Sequence, residues 1–146
     1  MTSYNNPSKS ADGRLTDADF VALATFRQTM RQFMEFSETA AVGAGLTPQQ
    51  HQALLIIKVL GVHLAPTVGD IADRLLVRHH SAVELVGRLV RLGLVQRSRD
   101  LVDRRRVRVS LTALAEEKLE ALSVAHLKEL RAIRPMLLRL FGQFGA

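Results

Sequence analysis

The sequence predicts a mainly α-helical domain that carries one small β-hairpin, an α+β winged helix-turn-helix arrangement. Three observations point to it. Apolar residues recur three or four positions apart over most of the chain, which is the period of a helix packed on one face. Residues 94–111 instead alternate with a period of two and contain a turn, as a hairpin does. Two of the predicted helices are also separated by only about three residues.

The first helix is predicted to begin at Thr16, because Thr-x-x-Asp spacing lets Thr16 and Asp19 bond each other's backbone N–H groups. Residues 1–15 precede it as a polar arm that we expect to be disordered. An apolar stripe then follows at helical spacing: Phe20, Leu23, Met30 and Met34. We expect this helix to end within Gly43–Gly45.

Three shorter helical elements are predicted next. Thr47–Pro48 opens a second helix, since proline is tolerated in the first turn, and Gly61 closes it. Thr67–Asp70 repeats the Thr-x-x-Asp signal and opens a third helix that stops near Val77. A fourth helix follows at once and ends at Gly93, so the third and fourth form the helix-turn-helix.

The hairpin is predicted to have strands at 94–99 and 106–111, joined by a tip at Asp100–Arg105 that forms the wing. Side chains of the second strand should alternate between core and solvent: Val107, Val109 and Leu111 inward, Arg106, Arg108 and Ser110 outward.

A long fifth helix is predicted from the N-cap Thr112 to Phe144, with a break or kink at Arg134–Pro135. His126 lies on its apolar stripe and is expected to be a hydrogen-bonded core residue. The stripe is too long for a winged helix alone to bury. We therefore expect the first and fifth helices to form a two-fold dimer interface, with an intramolecular antiparallel pair as the alternative.

These elements predict a single domain at 16–146. Its dimerisation helices are at 16–46 and 113–146, and the winged helix-turn-helix lies at 47–112.

The charge of the chain is concentrated in one segment. Residues 78–108 hold nine arginines, no lysine and three acidic residues, a net charge of +6, whereas the remainder is neutral. The planar guanidinium of arginine suits phosphates and guanine edges. A polyanionic partner is therefore favoured over a merely solvated basic face.

Several classes of protein are excluded by what the sequence lacks. Zero cysteine excludes a disulfide scaffold, a thiol redox sensor and a Cys-ligated metal site. No catalytic motif is present, and adjacent histidines such as His79 and His80 diverge on a helix, so neither an enzyme nor a metal or other cofactor is predicted. With no membrane-length apolar run and no signal peptide, we expect a soluble, cytoplasmic, nucleoid-associated protein without a membrane partner.

A helix-turn-helix followed by a basic hairpin is a DNA-docking architecture. The start of the fourth helix is expected to contact base edges in the major groove through Arg78, His79, His80, Ser81, Glu84 and Arg88. The wing is suited to the minor groove, and its contacts are expected from Arg97, Arg99, Arg104, Arg105 and Arg106.

Residues 67–112, and more loosely 16–144, resemble the MarR family of bacterial winged-helix repressors. The most specific match is the wing segment Asp103–Thr112, which fits the family pattern Asp-x-Arg…Leu-Thr. The resemblance implies a homodimer on a pseudo-palindromic DNA site and a ligand pocket between the dimerisation and DNA-binding halves. It also implies that Arg105 enters the minor groove and that Asp103 orients it. The apolar Leu101–Val102 pair departs from the family, in which many wing tips carry a proline and another polar residue.

The effector of such a regulator is expected to be an anionic aromatic molecule, held by cations beside apolar walls. The candidate ligand residues are Arg27, Met30, Arg31, Met34, His51 and His63. The alternative is that the two arginines pair with acids at the dimer interface.

The predicted function is a sequence-specific, ligand-responsive transcriptional repressor that binds double-stranded DNA as a homodimer. Two alternatives remain, a non-specific DNA-compacting protein and a winged-helix protein-interaction module.

Overall fold

The computed structural model describes residues 13–144, and within them it has five helices and one antiparallel hairpin. The elements are α1 (Asp17–Gly43), α2 (Pro48–Leu60), α3 (Val68–Leu75), α4 (His79–Arg91), β1 (Val95–Arg99), β2 (Val107–Leu111) and α5 (Ala113–Gln143). The strand register runs from Val95 opposite Leu111 to Arg99 opposite Val107. No helix in this range combines the length and apolarity needed to cross a membrane. Most of the predicted arm, residues 1–12, lies outside the described residues.

The predicted helix starts are confirmed by reciprocal hydrogen bonds at their caps. Before α1, the Asp19 carboxylate accepts from the Thr16 backbone N–H at 2.7 Å and the Thr16 hydroxyl accepts from the Asp19 N–H at 3.3 Å. Thr67 and Asp70 make the same exchange before α3, at 2.9 and 3.1 Å. Each pair satisfies two backbone donors that a helix terminus leaves unpaired.

The described chain divides into two compact units, and residues 38–124 form the larger one. Its core is built from the inward faces of α2, α3 and α4 and from one face of the hairpin. The largest fully buried side chains are Leu54, Ile57, Ile71, Val86, Leu89 and Val109. Only three residues separate α3 from α4, with Leu76 in the left-handed conformation (φ 56°), so the predicted helix-turn-helix is confirmed.

The other unit contains residues 13–37 and 125–144, from α1 and α5. Three side-chain contacts join the two helices in antiparallel order: His126 with Ser37 (2.8 Å), Thr29 with Met136 (3.7 Å), and Phe26 with Phe141 (ring centroids 6.1 Å). His126 also meets the rings of Phe33 and Phe36 edge-on. The expected hydrogen bond of His126 is therefore confirmed, although this residue is half-buried and not part of the core. The antiparallel pair that the sequence left open is present.

That pairing leaves much of the apolar surface of the same helices uncovered. Large apolar side chains of this unit that remain at least 43% exposed are Leu15, Phe20, Val21, Leu23, Met30, Met34, Leu127, Leu138, Phe141 and Phe144. An apolar surface of this extent is typical of a protein–protein contact.

Two details of the prediction are wrong. Arg108 does not face solvent: its side chain is 18% exposed, because it pairs with Asp100 and donates to the Ala65 carbonyl in the segment before α3. The Val109 N–H also donates to the Pro66 carbonyl at 2.8 Å. The predicted break at Arg134–Pro135 is absent, because α5 remains helical through Pro135 to Gln143, and the alternative of a kink there stays a prediction. A proline removes one backbone hydrogen bond, which flanking packing can tolerate.

We expect Leu54→Ala to lower the free energy of unfolding by about 2–5 kcal/mol, because it removes a fully buried side chain and leaves a cavity. Urea denaturation measures the change. The matched control is Leu55→Ala, one residue further along α2 at a side chain that is 44% exposed, with an expected loss of about 1 kcal/mol or less. Equal losses in the two variants would contradict this core.

Candidate nucleic-acid interface

The predicted recognition residues lie on the outer side of α4. Ala82, Leu85, Val86 and Leu89 form the buried side of this helix. The remaining positions carry the predicted set, of which Arg78, His79, His80, Glu84 and Arg88 are exposed and Ser81 is partly buried. Core packing thus fixes the rotation of α4 and turns these polar side chains outward.

The start of α4 differs chemically from the starts of α1, α2 and α3. Its N-cap residue is Arg78, whose side chain makes no capping hydrogen bond, whereas threonine hydroxyls cap the other three; like α2, it also has no acidic residue in its first turn. The backbone N–H groups of the first turn therefore keep their capacity to bind an anion, and the helix dipole adds positive potential there. This terminus is suited to a phosphate group.

Asp100 organises the tip of the hairpin. One oxygen of its buried carboxylate accepts from the backbone N–H groups of Val102 and Asp103, both at 2.8 Å. The other pairs with the Arg108 guanidinium, which also donates to the Ala65 carbonyl. The two backbone donors, followed by the Arg108 side chain, lower the pKa of Asp100 to about 2. The carboxylate is therefore ionised over the whole physiological pH range.

Asp103 holds Arg105 in the way that the resemblance implies. Its carboxylate accepts from Nε of Arg105 at 3.1 Å and from the second guanidinium nitrogen, Nη2, at 3.4 Å. These bonds, and one from the Arg105 backbone N–H, keep the pKa of Asp103 below its usual value. The Arg105 side chain is nonetheless 92% exposed. It is thus a restrained cation that projects into solvent.

A cleft of about 440 Å³ lies between the starts of α3 and α4 and the hairpin. It brings together four residues of the predicted DNA-binding set: His79, Arg97, Arg105 and Arg106. Asp70 lines the same cleft, and its pKa is lowered first by the Thr67 backbone N–H and further by the charges of nearby arginines.

Other predicted wing residues lie around a second groove of about 810 Å³ at the hairpin tip, which Arg99 and Asp103 line. Arg99 donates to the Arg104 carbonyl at 3.1 Å, and the Arg104 side chain is exposed. The recognition residues other than His79 line neither of these two spaces and lie along α4 instead.

The sequence interpretation missed two features of this surface. Val83 is 44% exposed on α4 and lines the cleft, where an apolar group suits the methyl of thymine. The sequence could have indicated this exposure, because Val83 lies between Ala82, which faces the core, and Glu84, which faces outward. The Asp100–Arg108 pair carried no local signal, because it depends on the hairpin register and on the chain segment that pairs with the edge of β2.

The predicted ligand residues are distributed over both units. Arg27, Met30, Arg31 and Met34 are exposed on α1 in the smaller unit. In the larger unit, His51 is buried in α2 and His63 is exposed just after it. Within residues 13–144, no three His, Asp or Glu side chains group as a metal site would require.

Comparison with known proteins matches residues 44–106 to a family model described as the MarR family. The HTH-type transcriptional repressor MdtR of Bacillus subtilis is 30% identical over 112 residues, covering 77% of this chain and 68% of MdtR. The YusO protein from Bacillus subtilis has a similar structure, with a TM-score of 0.59, 28% identity, and coverage of 85% and 82% of the two chains. The Staphylococcus aureus MepR–DNA complex superposes with a TM-score of 0.67 at 20% identity, covering 84% of this chain and 85% of MepR.

We expect Asp100→Asn to lower the melting temperature at neutral pH, because the amide cannot replace the charge paired with Arg108. The folded-state pKa is depressed, so the stabilisation is present above the unfolded value of about 3.9 and is lost as the pH falls towards about 2. The difference between wild type and variant should therefore shrink over that window, as measured by circular dichroism melting. The control is Glu120→Gln, at an exposed position of α5. A difference independent of pH would contradict the role of Asp100.

Proposed function

The chain belongs to the MarR family of DNA-binding transcriptional regulators, and we propose that it acts as a homodimeric, sequence-specific repressor on a pseudo-palindromic double-stranded DNA site. The family is one of regulators rather than enzymes, in agreement with the absence of a catalytic motif from the sequence. MepR, whose fold this chain shares, has been crystallised in complex with DNA, and MdtR is itself named a repressor.

The observation that carries the proposal is the exposed cationic surface of the larger unit. The outer side of α4 and the arginines of the hairpin belong to one packed body, and His79 meets Arg97, Arg105 and Arg106 around one cleft. Cations held on a rigid scaffold lose little conformational freedom when phosphates bind them, which favours association.

The residues divide by the part of DNA that each would contact. Arg97, Arg99, Arg104 and Arg106 would bind phosphates and thereby set the position of the protein on the duplex. The exposed start of α4 would read base edges in the major groove through Arg78, His79, His80, Ser81, Glu84 and Arg88. Arg105, restrained by Asp103, would enter the minor groove.

The proposed dimer uses the uncovered apolar side chains of α1 and α5. A two-fold interface would present two copies of α4 to successive major grooves, which requires half-sites about 10 base pairs apart, centre to centre. A second copy of the chain would also remove the exposed phenylalanine, leucine and methionine surface from water.

We also propose a small anionic aromatic effector. Its support is the pair of exposed cations Arg27 and Arg31, one helical turn apart on α1, beside Met30 and Met34. Such a ligand would change DNA affinity only by its differential affinity for the DNA-competent and DNA-incompetent forms. A regulator of this kind would act in the cytoplasm, at the nucleoid.

The proposal is tested by selecting, from random genomic fragments, those that the purified full chain retains, and by comparing Kd for selected and unselected DNA. A specificity ratio of about 10³ or more supports the proposed repressor. A ratio near one supports the DNA-compacting alternative. No salt-dependent affinity for any fragment supports the protein-interaction module.

On the selected fragment, we expect Arg105→Ala to weaken binding by about 1–3 kcal/mol in fluorescence anisotropy, because the variant lacks the cation proposed to enter the minor groove. Arg131→Ala is the matched control, since Arg131 is an exposed arginine of α5 in the other unit. Equal affinity of the Arg105 variant and the wild type would remove the role assigned to this side chain.

We expect Phe20→Glu to convert the dimer to a monomer, because a charge in the apolar interface loses its water without gaining a partner. Phe20 is 57% exposed on α1, so the substitution leaves the fold of one chain intact. Sedimentation equilibrium measures the mass. Val62→Glu, at an exposed apolar residue of the larger unit, is the control and should remain dimeric. A wild-type protein that sediments as a monomer would overturn the dimer.

A further inference from the structure

The most exposed apolar side chains in the described chain lie next to each other at the hairpin tip. Leu101 is 98% exposed and Val102 is 97% exposed. Neither side chain packs on the core beneath the hairpin, where Val109 is fully buried. Full exposure of two large aliphatic groups is unfavourable in water, so a partner that covered both would gain the free energy of their burial.

The backbone that carries these two residues is tightly held. Asp100 accepts from the N–H of Val102, and its own N–H donates to the Arg106 carbonyl at 3.0 Å. The Arg106 N–H in turn donates to the Asp103 carbonyl at 3.0 Å. With Asp100 also paired to Arg108, the two apolar side chains are presented from a preformed turn. Because the turn is already formed, less conformational entropy is lost when a partner binds.

The surroundings of the pair identify the chemistry of the partner. Arg99 lies before the pair, and Arg104 and Arg105 follow it, all with exposed side chains. Both acidic residues of the tip, Asp100 and Asp103, are already engaged with Arg108 and Arg105. The tip therefore has two apolar side chains at its end and cations around them. This arrangement complements a binding surface in which phosphates flank an apolar region.

We propose that Leu101 and Val102 enter the minor groove of the bound DNA beside Arg105 as an apolar wedge, while Arg99 and Arg104 contact the phosphates on either side. The inference rests on the proposed function and adds to it a contact that is neither a hydrogen bond nor an ion pair. The groove offers deoxyribose walls and the faces of partly unstacked bases, and aliphatic side chains serve as wedges there in other minor-groove binders.

This contact has a signature that separates it from those of the arginines. An apolar contact releases no condensed counterions, so its loss weakens binding without changing the slope of log K against log salt. Loss of a phosphate contact changes both quantities. Step unstacking in the bound DNA raises the fluorescence of 2-aminopurine placed at the contacted step.

The test uses the full-length chain and a selected genomic fragment to which the wild type binds specifically. Leu101→Asn and Val102→Thr preserve the shape of each side chain while making it polar. We expect the double variant to bind about 10-fold or more weakly, with an unchanged salt slope and without the 2-aminopurine signal of the wild type. The single variant Leu101→Met keeps an apolar side chain at this position and should retain most of the wild-type affinity. Val62→Thr is the control at another exposed apolar residue and should bind like the wild type.

The outcomes distinguish failure of the wedge from failure of the proposed function. If the wild type shows no specific DNA binding, the proposed function fails first. If the wild type binds and the double variant binds equally well, only the wedge is overturned. A weaker double variant with a shallower salt slope also overturns it, because the arginines were then displaced. If the substitutions leave DNA affinity intact and instead abolish self-association in sedimentation, the occupant is a second copy of the chain.

Discussion

The hairpin part of the surface assigned to DNA depends on one ion pair, between Asp100, just after β1, and Arg108 in β2. The carboxylate joins two parts of the molecule: one oxygen accepts the backbone N–H groups of the tip, and the other meets a guanidinium that also reaches the carbonyl of Ala65. The hairpin tip is thereby tied to the chain segment that leads into α3. A two-stranded hairpin is weak by itself, so this cross-link keeps its cations in one place.

The rest of the cationic surface follows from the core beneath it. Once Ala82, Leu85, Val86 and Leu89 are buried, the opposite side of α4 faces outward. The uncapped start of that helix then adds backbone donors to the arginines of the hairpin. Rigidity and charge act together here, because a restrained cation loses less conformational entropy on binding a phosphate than a mobile one does.

In the smaller unit, the polar groups are hydrogen-bonded but much of the apolar surface is exposed. His126, Ser37 and the rings of Phe33 and Phe36 form a satisfied polar contact inside an apolar cluster. Around it, many phenylalanine, leucine and methionine side chains remain exposed. A single chain therefore satisfies its buried polar groups there without covering its apolar surface, and that imbalance favours a second copy.

The resemblance to the MarR family implied the contact between Asp103 and Arg105. The sequence by itself determined the element order, the reciprocal caps at Thr16 and Thr67, and the short turn before α4. These features depend on residues within a few positions of each other, and local geometry is readable from spacing. Only the tertiary structure decided that Arg108 is partly buried, that helix α5 continues through Pro135, and that His79 shares a cleft with Arg105. Those outcomes depend on which distant segment covers each face, and no local pattern encodes that coverage.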